Sequence, residues 1–309
     1  MNIILAIIAL LIAIPLLLYW FAPATLFRQF QNAMRRKARL TRKTITVGGT
    51  TWPYLEGGPA DGETVVLVHG FGADKDNWSF YAPHLTDKYR VIVPDLPGFG
   101  ESDLSTDRDY SIAAQTARLI DFLDAVGVDR CHIAGNSMGG FIALQAALDH
   151  SHKLASLTLI NNAGVVGAGE SELQKMAAEG ESPLVVRSPA DVDKLLAFVA
   201  HKPRPIPGQF KKVMFNDAKR REALLDRIFW AIAEDSLTNP VNDRLGEVNT
   251  PTLIVWGRHD RLIDVSSVAV LEKGIAGAES VIFEHVAHVP MIEDPQALAS
   301  AHLPFLARL

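Results

Sequence analysis

An α/β fold built on a doubly wound, mostly parallel sheet is what this sequence predicts, and three observations predict it. Short apolar, β-branched runs recur along the chain. Helical patterns separate them, and several runs are apolar on both faces, as strands covered by helices on each side must be. At 309 residues, 48% hydrophobic and 21% charged, the chain has material for one large core. No repeat of about 20–50 residues interrupts it.

The N-terminus comes first. Residues 3–22, "IILAIIALLIAIPLLLYWFA", carry no charge. As a helix, a stretch of that length reaches about 30 Å, the thickness of a bilayer's hydrocarbon core. Pro15 is tolerable in such a helix, and Tyr19, Trp20 and Phe21 gather at one end as interfacial aromatics do. A cleaved signal peptide is the competing reading, with "APA" at 22–24 as its small-residue site. The apolar stretch exceeds the usual ~7–15 residues, however, and no basic segment precedes it. The expectation is an N-terminal transmembrane helix over residues 1–22, with a surface on which two copies could pair as a homodimer. Residues 24–40, "ATLFRQFQNAMRRKARL", place Leu26, Phe27, Phe30 and Met34 at spacings of three and four, with basic residues clustered toward the end. That pattern predicts a basic juxtamembrane helix over 23–43, lying on anionic lipid.

Strands are expected at 44–47, 52–55, 65–69, 90–94, 132–136, 156–160, 251–256 and 280–284, making an eight-stranded sheet. Between them, residues 112–126 set Ile112, Leu119, Ile120, Leu123 and Val126 on one helical face. The alternation breaks over 165–245, where "ADVDKLLAFVA" and "REALLDRIFWAIAED" read as helices around a Pro-rich "HKPRPIPG". A helical cap inserted into a core of residues 44–164 and 246–309 is the reading.

Charge separates the two parts of the chain. The first 55 residues hold Arg28, Arg35, Arg36, Lys37, Arg39, Arg42 and Lys43 and no acidic residue. The remainder keeps 23 of the 30 basic residues against all 35 acidic ones, a net charge of −12, which excludes a nucleic-acid partner. Basic residues just after the apolar stretch favour a cytosolic body by the positive-inside rule. The lone cysteine, Cys131, excludes an intramolecular disulfide and reads as a small buried hydrophobe.

Chemistry enters at "HIAGNSMGG", 132–140, where an apolar strand runs into Gly135, Asn136, Ser137, Met138, Gly139 and then a helical pattern. A serine on that sharp turn is exposed to a carbonyl carbon, and the amide of Met138 opens the helix toward a developing oxyanion. A serine hydroxyl needs an oriented base. "TLIVWGRHD" ends a strand in a turn carrying Asp260, and "VIFEHVAHVPMIEDP" ends another in a loop carrying His285 and His288. The order Ser137, Asp260, His288 is therefore available. Asp264, which reads as the cap of the following helix, and His285, which reads as strand end, are the alternatives. In "VVLVHGFGADKDNW", 65–78, Gly70 and Gly72 admit a close substrate and the Phe71 amide is the second oxyanion donor, with His69 bracing the loop.

With those residues in hand, the chain resembles the α/β-hydrolase superfamily across about residues 44–309, through "HGFG" at 69–72, "DLPGFGES" at 95–102, "GNSMGG" at 135–140, "GRHD" at 257–260 and "HVPMIEDP" at 288–295. Within it the chain is most similar to membrane-anchored monoacylglycerol lipases and single-pass bacterial phospholipases A. The resemblance implies Ser137 as nucleophile, Asp260 as acid, His288 as base, and Phe71 and Met138 at the oxyanion hole. It also implies a lipid substrate, a bilayer as partner, a bacterial inner-membrane location and no metal or organic cofactor. The bacterial relatives are thought to face the periplasm, against the positive-inside rule. "GNSMGG" is shared with hydrolases of carbon–carbon bonds in ring-fission products, which usually carry a tryptophan-containing sequence after the histidine, where this chain has "HVPMIEDP". General short-chain carboxylesterases are the other alternative. Dehalogenases and epoxide hydrolases need an aspartate where Ser137 stands.

Overall fold

A computed structural model of the chain describes residues 2–167, 169–238 and 240–309, without the side chains of residues 2, 6, 9, 10, 12 and 237. Residue 1 of the expected anchor and residues 168 and 239 of the expected cap lie outside the described residues. Eight strands form one sheet: β1 (Leu40–Val47), β2 (Thr50–Gly57), β3 (Thr64–Val68), β4 (Arg90–Pro94), β5 (Cys131–Asn136), β6 (Leu154–Ile160), β7 (Thr252–Gly257) and β8 (Glu279–Phe283). Their order is β1-β2-β4-β3-β5-β6-β7-β8. The β1–β2 and β2–β4 pairs are antiparallel, and every pair from β4 across to β8 is parallel. All eight expected strands are present, and β1 begins four residues before its expected start.

Ten helices accompany the sheet among the described residues. They are α1 (Asn2–Phe21), α2 (Pro23–Lys37), α3 (Ile112–Ala125), α4 (Met138–Asp149), α5 (Glu172–Ala178), α6 (Pro189–Val199), α7 (Gly208–Thr238), α8 (Ser267–Gly274), α9 (Pro290–Glu293) and α10 (Pro295–Leu306). Alternate residues of a strand face opposite sides, and the two cores show it. Val66 and Val68 pack with Ile133, Trp256 and the helices α3, α4 and α8. Val65 and Leu67 pack with Trp78, Tyr81 and Phe305 of α10 on the other face. The order places β3 between β4, its immediate successor, and β5. The connections therefore diverge there, leaving a crevice at the carboxyl ends of β3 and β5 where ligands bind in such sheets. Helices α5, α6 and α7 are inserted between β6 and β7, in the stretch where the strand pattern lapses.

Among the described residues no helix is long and apolar enough to cross a membrane, so they do not establish the expected transmembrane span. They do show a 20-residue helix, α1, with no charged residue, whose Ile3, Ile4, Leu11, Leu17, Trp20 and Phe21 project away from the body, all more than half exposed. The helix α2 differs from the expected one in two ways. It ends at Lys37, because residues 40–43 already belong to β1. It is also seated on the body along one face: Phe27 and Phe30 pack on Phe210 of α7, and Arg35 is buried against Asp76.

Candidate active site

Ser137 stands between β5 and α4 with φ +56° and ψ −121°, a left-handed conformation costing about 1–3 kcal/mol in an L-residue. Its surroundings leave no alternative. Its amide donates to the Ile160 carbonyl (3.1 Å), and its own carbonyl accepts from Phe141 (3.0 Å) and Ala163 (3.1 Å). The flanking glycines are steric necessities: a Cβ on Gly135 would lie 2.1 Å from the Gly139 carbonyl oxygen, and one on Gly139 would lie 2.4 Å from that of Val68. The end of β3, the end of β5 and the start of α4 are thus in backbone contact.

His288 Nδ1 lies 2.9 Å from Asp260 Oδ2, with both side chains almost wholly buried. Asp260 Oδ1 accepts the amides of Leu262 (2.8 Å) and Ile263 (3.2 Å), so the carboxylate is aimed by its own turn. Its acceptor role means that the Nδ1 position of His288 carries the proton and Nε2 is left as base. Ser137 Oγ makes no hydrogen bond among the described residues. The histidine loop is brought to the serine by Asn136, whose Nδ2 donates to the His288 carbonyl (3.0 Å) as well as to that of Ile160 (3.1 Å).

Both candidate oxyanion donors belong to segments next to Ser137. Met138 is the first residue of α4, where amides have no intrahelical acceptor. Phe71 follows Gly70, whose added Cβ would stand 3.0 Å from the Ser137 Cβ, so the loop runs directly against the serine. The Phe71 ring is held edge-to-face by Phe99 and by Phe229 of α7. His69 braces this loop: Leu96 N–H donates to its Nε2 (3.0 Å), which leaves Nδ1–H to donate to the Gly70 carbonyl (2.8 Å). Burial lowers its pKa and keeps the ring neutral.

The alternatives fall elsewhere. His285 is exposed and bonded to Asp294 (2.7 Å). Asp264, three residues ahead of α8, accepts the Ser266 amide (2.9 Å), an Asx turn rather than the helix cap itself. Among the described residues, no group of three or more His, Cys, Asp or Glu is placed to hold a metal ion.

Three positioning residues escaped the sequence reading. Asn161 donates to Asp260 Oδ2 (2.7 Å) and to the Ala287 carbonyl (3.2 Å), from a left-handed backbone at φ +47° that asparagine tolerates. Asn136 is described above. Glu293 accepts the amides of Ala287 (3.0 Å), Val289 (3.2 Å) and His201 (2.7 Å), tying the histidine loop to the end of α6, where the Val199 carbonyl accepts the His288 amide (3.1 Å). The available signal was polarity out of place: two asparagines directly after the apolar β6, and a glutamate directly after the apolar "VPMI".

The chain belongs to the alpha/beta hydrolase fold family, whose pattern matches residues 63–295. Lipase 1 of Psychrobacter immobilis is 36% identical over 264 residues, which are 84% of this chain and 82% of that protein. Monoacylglycerol lipase abhd6-B of Xenopus laevis is 27% identical over 297 residues, 93% of this chain and 88% of the relative. Among solved structures, the crystal structure of a membrane phospholipase A, described as a bacterial virulence factor, matches with a TM-score of 0.90 at 40% identity. That match covers 100% of this chain and 99% of the other. With relatives of these kinds, the chain is a carboxylic ester hydrolase of the lipase and phospholipase type.

Two predictions come from this geometry. Asn161→Ala removes a donor from the charged Asp260–His288 pair, so kcat on p-nitrophenyl butyrate should fall roughly 10–100-fold in a protein that still unfolds cooperatively. Unchanged kcat would deny Asn161 a positioning role. The second concerns Asp74, in the loop after Phe71, whose carboxyl is pushed up to about 7 by burial, with Asp76 and Asp95 alongside. A raised carboxyl pKa means that the folded state holds the proton longer than the unfolded one. Stability is therefore lost as pH climbs from the ordinary carboxylate range to about 7, and the loss is complete above it. Asp74→Asn should accordingly gain Tm relative to the wild type at pH 8 compared with pH 5. A gap independent of pH would sink this account.

Proposed function

We propose that this chain is a membrane-anchored serine hydrolase that cleaves carboxylic esters of acyl lipids, a monoacylglycerol, lysophospholipid or phospholipid. The observation that carries the reading is the buried Asp260–His288 pair, tied through Asn136 to a serine held in a strained, glycine-flanked turn. His288 Nε2 takes the proton of Ser137 Oγ as that oxygen attacks the ester carbonyl. Asp260 stabilises the imidazolium without taking its proton. The tetrahedral oxyanion is held by the amides of Phe71 and Met138, each a fixed dipole aimed where charge develops. As the intermediate collapses, His288 returns the proton to the leaving alcohol. Water, deprotonated by the same nitrogen, then cleaves the acyl-enzyme and releases the fatty acid.

What supports a lipid substrate and a membrane is α1 and the resemblance to a membrane phospholipase A and to monoacylglycerol lipases. Drawing an acyl chain out of a bilayer into water costs about 0.8 kcal/mol per methylene. An anchored site covered by α5–α7 as a cap avoids most of that cost, because the chain passes from lipid into an apolar pocket. The anchor also holds an acidic body against an anionic surface that repels it.

Ser137→Ala and His288→Ala should each lower kcat by about 10⁴-fold or more, since such groups act as a unit. His285→Ala should stay within a few-fold of the wild type, its ring being exposed and paired with Asp294. A folded His285→Ala enzyme as inactive as His288→Ala would refute the assignment of the base. Removing residues 1–22 should leave hydrolysis of a water-soluble short-chain ester nearly unchanged and strongly reduce fatty-acid release from liposomes at equal enzyme concentration. Equal rates on liposomes would show that the N-terminal helix does not deliver substrate.

A further inference from the structure

The last turn of α2 carries a side chain that the proposed chemistry does not employ and that the sequence pattern assigns to a lipid-facing basic cluster. Arg35 is 6% exposed, although it belongs to a helix whose other basic residues, Arg28, Arg36 and Lys37, face outward. Its fork meets Asp76 squarely: Nε lies 2.6 Å from Oδ1 and Nη2 lies 2.6 Å from Oδ2, with Glu101 at 3.3 Å from Nη2. Its pKa is pushed up further by these two carboxylates despite the opposing effect of burial. Such a two-bond fork fixes orientation as well as charge.

Asp76 belongs to the same loop as the Phe71 amide. Its own N–H donates to Asp74 Oδ1 (2.8 Å). Between them, the buried Lys75 gives its amide to Asp95 Oδ1 (2.8 Å) and its Nζ to Asp95 Oδ2 (2.6 Å). Nearer the serine, the Ala73 amide closes a turn on the Gly70 carbonyl (3.3 Å). The loop is thus pinned at its start by His69, in its middle by Lys75 on Asp95, and at its far limb by Arg35. Only the last pin comes from outside the 63–295 stretch shared with the family. The charge balance makes it necessary: Asp76, Asp95 and Glu101 crowd around Lys75, and the other cation on this cluster, Arg42, reaches only Glu101. Without Arg35 the carboxylates repel one another across a limb five residues from Phe71.

We propose that Arg35 is a positioning residue for ester hydrolysis, holding the 74–76 limb so that the Phe71 amide stays at oxyanion distance from the carbonyl on Ser137. The proposal rests on the reading of Phe71 as an oxyanion donor. It makes α2 a part of the active site rather than a lipid-facing tether. A donor displaced by about 1 Å can cost about 10²-fold in rate, whereas ground-state binding of a small ester scarcely depends on it.

The test uses the full-length chain in detergent micelles with p-nitrophenyl butyrate, a substrate that needs no delivery from a bilayer. Cleavage by the wild type and its loss in Ser137→Ala report on the proposed function, and the Arg35 variants report on the inference. Arg35→Met should lower kcat about 30–100-fold with KM within about twofold. The pH dependence should keep its shape, because the Asp260–His288 pair is untouched. Arg35→Lys, which restores the charge without the fork, should recover part of the loss. Arg36→Met, one residue on and exposed, should match the wild type. If Arg35→Met does not fold, the double variant Arg35→Met/Asp76→Asn leaves no orphaned carboxylate and is held to the same expectation. A folded variant of either kind with kcat within twofold of wild type overturns the proposal. So does a loss equally severe in Arg36→Met.

Discussion

A serine at φ +56° relaxes to an ordinary conformation unless its neighbours forbid it, and the architecture around Ser137 consists largely of that prohibition. The Val68 and His69 carbonyls at the end of β3 lie within 2.4 and 2.5 Å of where a Gly139 Cβ would be, so only glycine lets α4 start there. Gly140 meets the Asn162 side chain in the same way, with 2.4 Å between its added Cβ and that of Asn162. Three strand ends, β3, β5 and β6, therefore converge on one turn. The strain is supported by two sheet-facing cores that the parallel strands help to build, one of them together with α4. The strained turn keeps Ser137 at the crevice where the sheet connections diverge, and the amide of Met138 comes with it.

Charge around the site is arranged by containment. Lys75 and Asp95 form an ion pair with both side chains essentially inaccessible. Such a pair contributes little net stability relative to an apolar one, because desolvation offsets the attraction. Its value here is directional: Asp95 also accepts the Glu101 amide (2.7 Å), and Gly100 must be glycine because its Cβ would strike the Asp95 carboxyl. One carboxylate thereby joins the loop after β3 to the loop after β4. Asp260 does the equivalent work on the other side, where Asn161 and two turn amides leave its remaining lone pair for His288.

What was legible in the sequence follows from how locally each feature is determined. Strands buried on both faces announce themselves as continuous apolar runs, and β3 and β5 fall within a residue of expectation at either end. β1 did not, because its buried Leu40 is followed by three exposed residues, Thr41, Arg42 and Lys43, with no alternation to read. The placement of Ser137 at a strand–helix turn, and of Asp260 and His288 at later strand ends, was visible because each follows a recognisable apolar run. Asn136, Asn161 and Glu293 were not, since their significance lies in hydrogen-bond partners up to 152 residues away in the chain. The seating of α2 was missed for the same reason. Its amphipathic pattern is satisfied equally by lipid and by protein, and only the position of Asp76, 41 residues on, decides between them.

The helices that flank the site then form a closed frame. Phe210, near the start of α7, sits among Tyr19, Phe27 and Phe30. Further along the same helix, about 28 Å away, Phe229 packs on Phe71. A second strut runs from Phe27 along α2 to Arg35 and ends on the same loop at Asp76. Two helices of unequal length thus leave one aromatic cluster and arrive at opposite limbs of one loop. A helix held at two separated points cannot tilt without breaking one of its contacts. Any displacement of α1 relative to the body must therefore be taken up either by the aromatic cluster or by the Phe71–Asp76 loop. The rings can slide over one another at small cost, whereas the loop is held by buried charge. The softer joint lies at the N-terminal helix and the stiffer one at the serine, so a shift of α1 leaves the Phe71–Asp76 loop in place.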